Sequence, residues 1–155
     1  MSSFRPDKYV RLINVSSLQW KRAYAIDVPE VDSEHQTLFR LLHGLERGIA
    51  GGADDNQLQQ KASELHKHLA DHFIHEQRLM RTTGYPLYEW HRLRHASSRV
   101  NLRRLARHIA RGDRASASAA IDMLGAWLKN HIRLADRMFA AYFRNYRRGQ
   151  TALAS

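Results

Sequence analysis

The stretch YPLYEWHRLRHASSRVNLRRLARHIARG, residues 85–112, reads as one long amphipathic helix. It opens on Pro86, whose missing N–H costs nothing in a first helical turn, and runs to the break at Gly112. At about 100° per residue, Leu102, Leu105 and Ile109 lie within about 40° of His91 and mark the buried side. His91 and His95, four residues apart, therefore face the core. Arg92, Arg99, Arg103, Arg104, Arg107, Arg111 and Arg114 point away from it. A helix that buries two imidazoles needs neighbours able to enclose them.

Working outward, the chain is punctuated at Gly51-Gly52, Gly84-Tyr85-Pro86 and Gly112-Asp113. Before these breaks, residues 33–49 follow the potential caps Asp32 and Ser33 and place Leu38, Leu41, Leu42 and Leu45 at helical spacing. Residues 55–81 do the same with Leu58, Leu65, Leu69, Phe73 and Leu79 or Met80. After them, residues 116–147 carry Ile121, Leu124, Leu128, Ile132 and Phe139. Four helices joined by short loops run antiparallel to their neighbours, so the expected fold is all-α, an up-down-up-down four-helix bundle. Residues 1–32 are expected as an N-terminal arm packed along the bundle, since Trp20, Tyr24, Ile26 and Val31 are too apolar for a free tail. The bundle proper is expected over 33–148, with a short tail at 149–155.

The 155 residues contain no cysteine and ten histidines. Disulfide scaffolds, thiolate metal sites and cysteine nucleophiles are thereby excluded. The uncharged run at residues 12–20 is far short of the roughly 20 apolar residues of a membrane-spanning helix. No apolar h-region of a signal peptide is present near the N-terminus, which leaves the cytoplasm as the expected compartment.

Side chains four apart on a helix project from one face and can ligate one metal. The sequence offers His72 with Glu76, His91 with His95, and His131 with Asp136 at the wider spacing of five, while the first helix adds His35. A lone core histidine is ordinarily a hydrogen-bonded packing residue. Five imidazoles and two carboxylates drawn from all four helices cannot all satisfy one another, and metal binding resolves the conflict. The set is rich in nitrogen and carboxylate oxygen, free of sulfur, and suits iron. His131 and Asp136 diverge by about 140° on an ideal helix, so a bridging role for Asp136 or a local distortion of the helix is expected there. Other metal motifs fail: His75-Glu76 is followed by Leu79 where H-E-x-x-H needs histidine, and no Glu-x-x-His of the ferritin-like plan is present.

The motifs DSEH (32–35), HFIHEQRLM (72–80), YPLYEWHRLRH (85–95) and WLKNHIRLAD (127–136) together resemble the hemerythrin family in its single-domain bacterial form, over roughly residues 20–139. The resemblance implies two iron ions joined by an oxo or hydroxo bridge. His91, His95 and His131 would serve one iron and His35 and His72 the other, with Glu76 and Asp136 bridging. One iron is then five-coordinate and open, and dioxygen would be held there reversibly as hydroperoxide. The implied function is oxygen storage, transport or sensing, with no catalytic side chain. Leu38, Phe39, Phe73, Trp127, Leu128 and Ile132 lie beside the ligands and are the expected oxygen pocket, keeping water out. Most of them serve equally as core; Leu128 is the preferred pocket wall. Gln77 departs from the second glutamate that many members carry. His75, His43, His66 and His108 are expected at the surface or behind the ligands, and His68 lies one turn before His72 on the same face.

The net charge of +10 is uneven: residues 27–76 hold ten of the fifteen acids, while residues 77–155 hold sixteen of the 25 Lys and Arg. The arginine face of the third helix reads as a solvated surface or a dock for an acidic protein, including an oxygen-consuming enzyme; nucleic acid is the less favoured partner. Two alternatives to oxygen carriage are a diiron peroxide or nitric oxide reductase, and a basic interaction module with a structural metal.

Overall fold

The computed structural model describes residues 18–155. Its helices are α1 (Pro29–Ala50), α2 (Asp55–Thr82), α3 (Tyr88–Ala110), α4 (Arg114–His131) and α5 (Arg137–Ala154), with a π-helical turn, Ile132–Asp136, joining α4 to α5 without a break. The rod α4–π–α5 is thus the fourth helix of an all-α four-helix bundle. Around the ring α1 packs on α2, α2 on α3, α3 on α4, and α4 back on α1. Among the described residues there is no strand.

Local chemistry accounts for the turns. Asp54 caps α2 reciprocally with Gln57, its carboxylate accepting from the Gln57 N–H at 2.8 Å and its own N–H donating to the Gln57 side chain at 3.1 Å. Asp113 caps α4 by accepting from the Ser116 N–H at 3.0 Å. Gly84 sits at φ 66° in the α2–α3 connection, a conformation glycine adopts at no steric cost.

Three boundaries differ from the sequence reading. The first helix begins at Pro29, not after Asp32 and Ser33, because Pro29 is pre-set for a first turn and Asp32 points backward. Its carboxylate accepts from the N–H groups of Ile26 and Asp27 at 2.9 and 3.1 Å, bracing the turn in which Asp27 takes φ 59°. The third helix begins at Tyr88, Pro86 being used in the preceding turn. The last helix continues through Gly149 to Ala154, so the expected tail is helical up to that point; an isolated glycine costs about 1 kcal/mol in a helix and does not by itself end one.

The core runs the length of the bundle and includes Leu18, Tyr24, Ile26 and Val28 from the arm, each no more than 4% exposed. The arm is fastened at Gly125, where a Cβ would overlap the Leu18 side chain. It is also tied to α5, whose Arg137 and Arg144 donate to the carbonyls of Ala23 and Ile26. Residues 1–17 of the expected arm lie outside the described residues.

Candidate metal centre

Each of the four long helices delivers imidazole or carboxylate groups to one level of the bundle. His35 comes from α1, His72 and Glu76 from α2, His91 and His95 from α3, His131 from the end of α4, and Asp136 from the end of the π turn. All seven are at most 1% exposed. In a π turn each backbone N–H bonds five residues back, so residue i+5 stands where i+4 stands in an α-helix. The turn between His131 and Asp136 thereby removes the divergence of their five-residue spacing, and His131 Nε2 lies 2.9 Å from Asp136 Oδ1.

Two groups of donor atoms result, each with its members within 4.8 Å of one another. One is Glu76, His91, His95, His131 and Asp136; the other is His35, His72 and Asp136, so Asp136 belongs to both. Glu76 Oε2 is 3.2 Å from both His91 Nε2 and His95 Nε2 and reaches toward His72 Nε2 at 3.9 Å. Asp136 places Oδ1 3.2 Å from His91 Nε2 and Oδ2 3.1 Å from His35 Nε2. His95 and His131 turn Nε2 toward Nε2 at 3.1 Å. At that separation one Nε2 donates to the other or, with both protons on Nδ1, the two can ligate one ion.

Hydrogen bonding does not satisfy this cluster. Nε2 of His35, His72 and His91 and all four carboxylate oxygens of Glu76 and Asp136 are buried without a hydrogen bond. Orphaned buried polar atoms are rare in folded proteins, and two divalent cations among these donors would satisfy them together. The donor set therefore fits a pair of metal ions on its own chemistry. Burial pushes both carboxyls up, and the Asp136 charge pushes Glu76 further, yet the facing imidazoles hold Glu76 and Asp136 well below the usual carboxylate range. Burial drives His95 down to about 4. Burial also opposes charge on His91, but Asp136 and Glu76 outweigh it and raise His91 to about 9.

A second layer orients the imidazoles. Glu34, half-buried on α1, accepts from His72 Nδ1 at 2.8 Å and from His75 Nδ1 at 2.6 Å. This fixes the His72 tautomer with Nε2 free to ligate. The Gln77 amide nitrogen lies 3.0 Å from His95 Nδ1; a ligating His95 carries its proton there, so the amide turns its oxygen to accept it. Phe73 stacks on His95 with centroids 3.9 Å apart, and Trp127 stacks on His131 at 4.6 Å while donating from Nε1 to Ser97 Oγ.

The six residues expected as a pocket are placed unequally. Leu38, Trp127 and Leu128 border a small apolar void of about 10 Å³, which Leu42, Leu65, Leu69 and Leu124 complete. Phe73 covers His95, Ile132 is fully buried, and Phe39 packs away from the void against Tyr24 and Trp20. His43 and His108 lie near Glu46 and Asp113, and His66 is exposed. His68 and Asp71 line a surface pocket that reaches His72 beside Glu34. The sequence reading missed Glu34 as the partner of His72; its only signal was a carboxylate next to His35 on the side facing α2.

A family model described as the hemerythrin HHE cation binding domain matches residues 27–143. A myohemerythrin of Theromyzon tessulatum is 25% identical over 118 residues, covering 76% of this chain and 87% of the relative. A bacteriohemerythrin of Ralstonia nicotianae is 23% identical over 125 residues, covering 81% and 88%. On the family-model match over most of its length, the chain belongs to the hemerythrin HHE cation-binding family.

Proposed function

We propose that the chain binds dioxygen reversibly at two iron ions, His91, His95 and His131 holding one, His35 and His72 the other, with Glu76 and Asp136 shared. The carrying observation is the imbalance of donors: three imidazoles converge at one end of the carboxylate pair and two at the other. An ion at the poorer end is left short of a ligand, and an open position is where a small molecule binds. Two irons held there would supply the electrons that reversible oxygen binding requires.

The protein's part is to orient and to exclude water. Glu34 holds His72, Ser97 holds the Trp127 ring over His131, and Phe73 lies on His95. The void bordered by Leu38 and Leu128 keeps solvent from the two-imidazole end, where a proton or water would turn reversible binding into irreversible oxidation. Iron analysis should return two atoms per chain. The reduced protein should gain a visible absorption band in air and lose it under argon through repeated cycles. Absence of iron sinks the proposal, and rapid turnover of peroxide or nitric oxide without a reversible band replaces it with the reductase reading.

A further inference from the structure

A cleft of about 440 Å³ opens on the outside of the bundle between α2 and α3, starting about one turn beyond His95 and running away from the metal centre. That volume is in the range of small-molecule sites. Its floor is apolar and recessed: Ala62 from α2 and Leu102, Leu105 and Ile109 from α3, the last three no more than 7% exposed. Its rim is cationic or neutral: His66, Gln59 and Ser63 on one side and Arg99 and Arg103 on the other, with no acidic side chain lining it.

The two arginines differ from others in the chain. Arg92, Arg114 and Arg147 each meet a carboxylate at 2.7–2.8 Å. Arg99 and Arg103 have no ion-pair partner among the described residues. They stand at i and i+4, side by side above the apolar floor. A guanidinium fork matches a carboxylate in geometry as well as charge.

The geometry points to a soluble medium-chain carboxylate as the occupant of this cleft, its alkyl chain on Leu102, Leu105 and Ile109 and its head between Arg99 and Arg103. From Arg99 to Ile109 the cleft extends about 15 Å along α3, at 1.5 Å of helix per residue, which suits a medium rather than a long chain. A membrane surface is a poorer match, because its ligand face must protrude into lipid and these apolar side chains are sunk between two helices.

Decanoate is the probe, titrated calorimetrically into the full chain below its micellar concentration. Saturable binding at one site per chain is expected, with decanol at least tenfold weaker for want of a charged head. Arg99→Gln/Arg103→Gln should weaken decanoate about tenfold or more. Arg107→Gln/Arg111→Gln removes the same charge outside the cleft and should leave binding within about twofold. Ala106→Phe, which plugs the cleft and keeps both arginines, should abolish binding; Ala106 is exposed, and circular dichroism checks that all variants remain folded. Lack of saturable binding, equal affinity for decanol, or equal loss in both arginine pairs would overturn the assignment. So would capture by anionic phospholipid vesicles that decanoate does not compete away.

Discussion

Leu128 offers the sharpest test of how the apolar wall protects the metal centre. It is 2% exposed and borders the void with Leu38, Leu42 and Leu124, side chains fixed on α1 and α4. Leu128→Ala removes three carbon groups, worth about 2.4 kcal/mol at about 0.8 kcal/mol per buried methylene. The existing void means that the wall is already unable to close completely, so the new space should not collapse. At about 24 cal/mol per Å³, each 50 Å³ left open adds about 1.2 kcal/mol, giving a total of about 3–4 kcal/mol. Urea unfolding of the metal-free proteins isolates this packing term from metal binding. Leu128→Met, close in volume, should cost less than about 1.5 kcal/mol. Leu42→Ala opens the same void about two turns from His35 and should destabilise comparably. Only Leu128→Ala, one turn from His131, should shorten the number of oxygenation cycles survived by the iron-loaded protein. A loss below about 1.5 kcal/mol would refute the packing reasoning, and equal oxidative damage in both alanine variants would refute the gating role of Leu128.

Replacing Glu34 by Gln keeps a hydrogen bond to His72 but removes the negative charge; metal affinity should fall about 10- to 100-fold in chelator competition, with the metal-free fold unchanged by circular dichroism. Gly125→Ala forces the Leu18 side chain aside and should cost about 1–3 kcal/mol in urea unfolding, with the loss relieved by Leu18→Ala in the same chain. Stripped of metal, the protein should be most stable near pH 6.5. The stability from His91, whose pKa is raised to about 9, is present below 6.5 and lost as pH rises through 9; His95, lowered to about 4, must be protonated to unfold in acid and takes stability away as pH falls from 6.5 toward 4. Metal loading should flatten the alkaline limb, since bound imidazoles cannot protonate; an alkaline limb unchanged by metal would contradict these ligand roles.

The bundle was legible because its signal is local. Leu102, Leu105 and Ile109 repeat with the period of a helix whatever surrounds them, and the same arithmetic turned His91 and His95 inward. Spacing on one helix also exposed His72 with Glu76, while the five-residue gap before Asp136 left either a bridging role or a local distortion to accommodate it, and the structure has the distortion, a π turn. Boundaries were less legible where tertiary partners decide them. Asp32 has the chemistry of a forward cap and is used backward on Ile26 and Asp27, because Pro29 had already begun the helix. Glu34 meets His72 across 38 residues of sequence, and Trp127 meets Ser97 across 30. No periodicity within one helix encodes which faces of two helices will touch.

The π turn also carries a message about the residues that come after it. Because its widened loop takes up one residue, Phe139, Ala140 and Phe143 keep the phase they would have in an uninterrupted helix one residue shorter, and all three are buried. Leu134, in the middle of the turn, is 48% exposed and has no place in the core. Excising it would mend the backbone ladder and disturb neither the downstream stripe nor the direction of Asp136. The last helix is therefore spliced with a residue that packing does not require, between the two side chains, His131 and Asp136, that it sends to the metal centre.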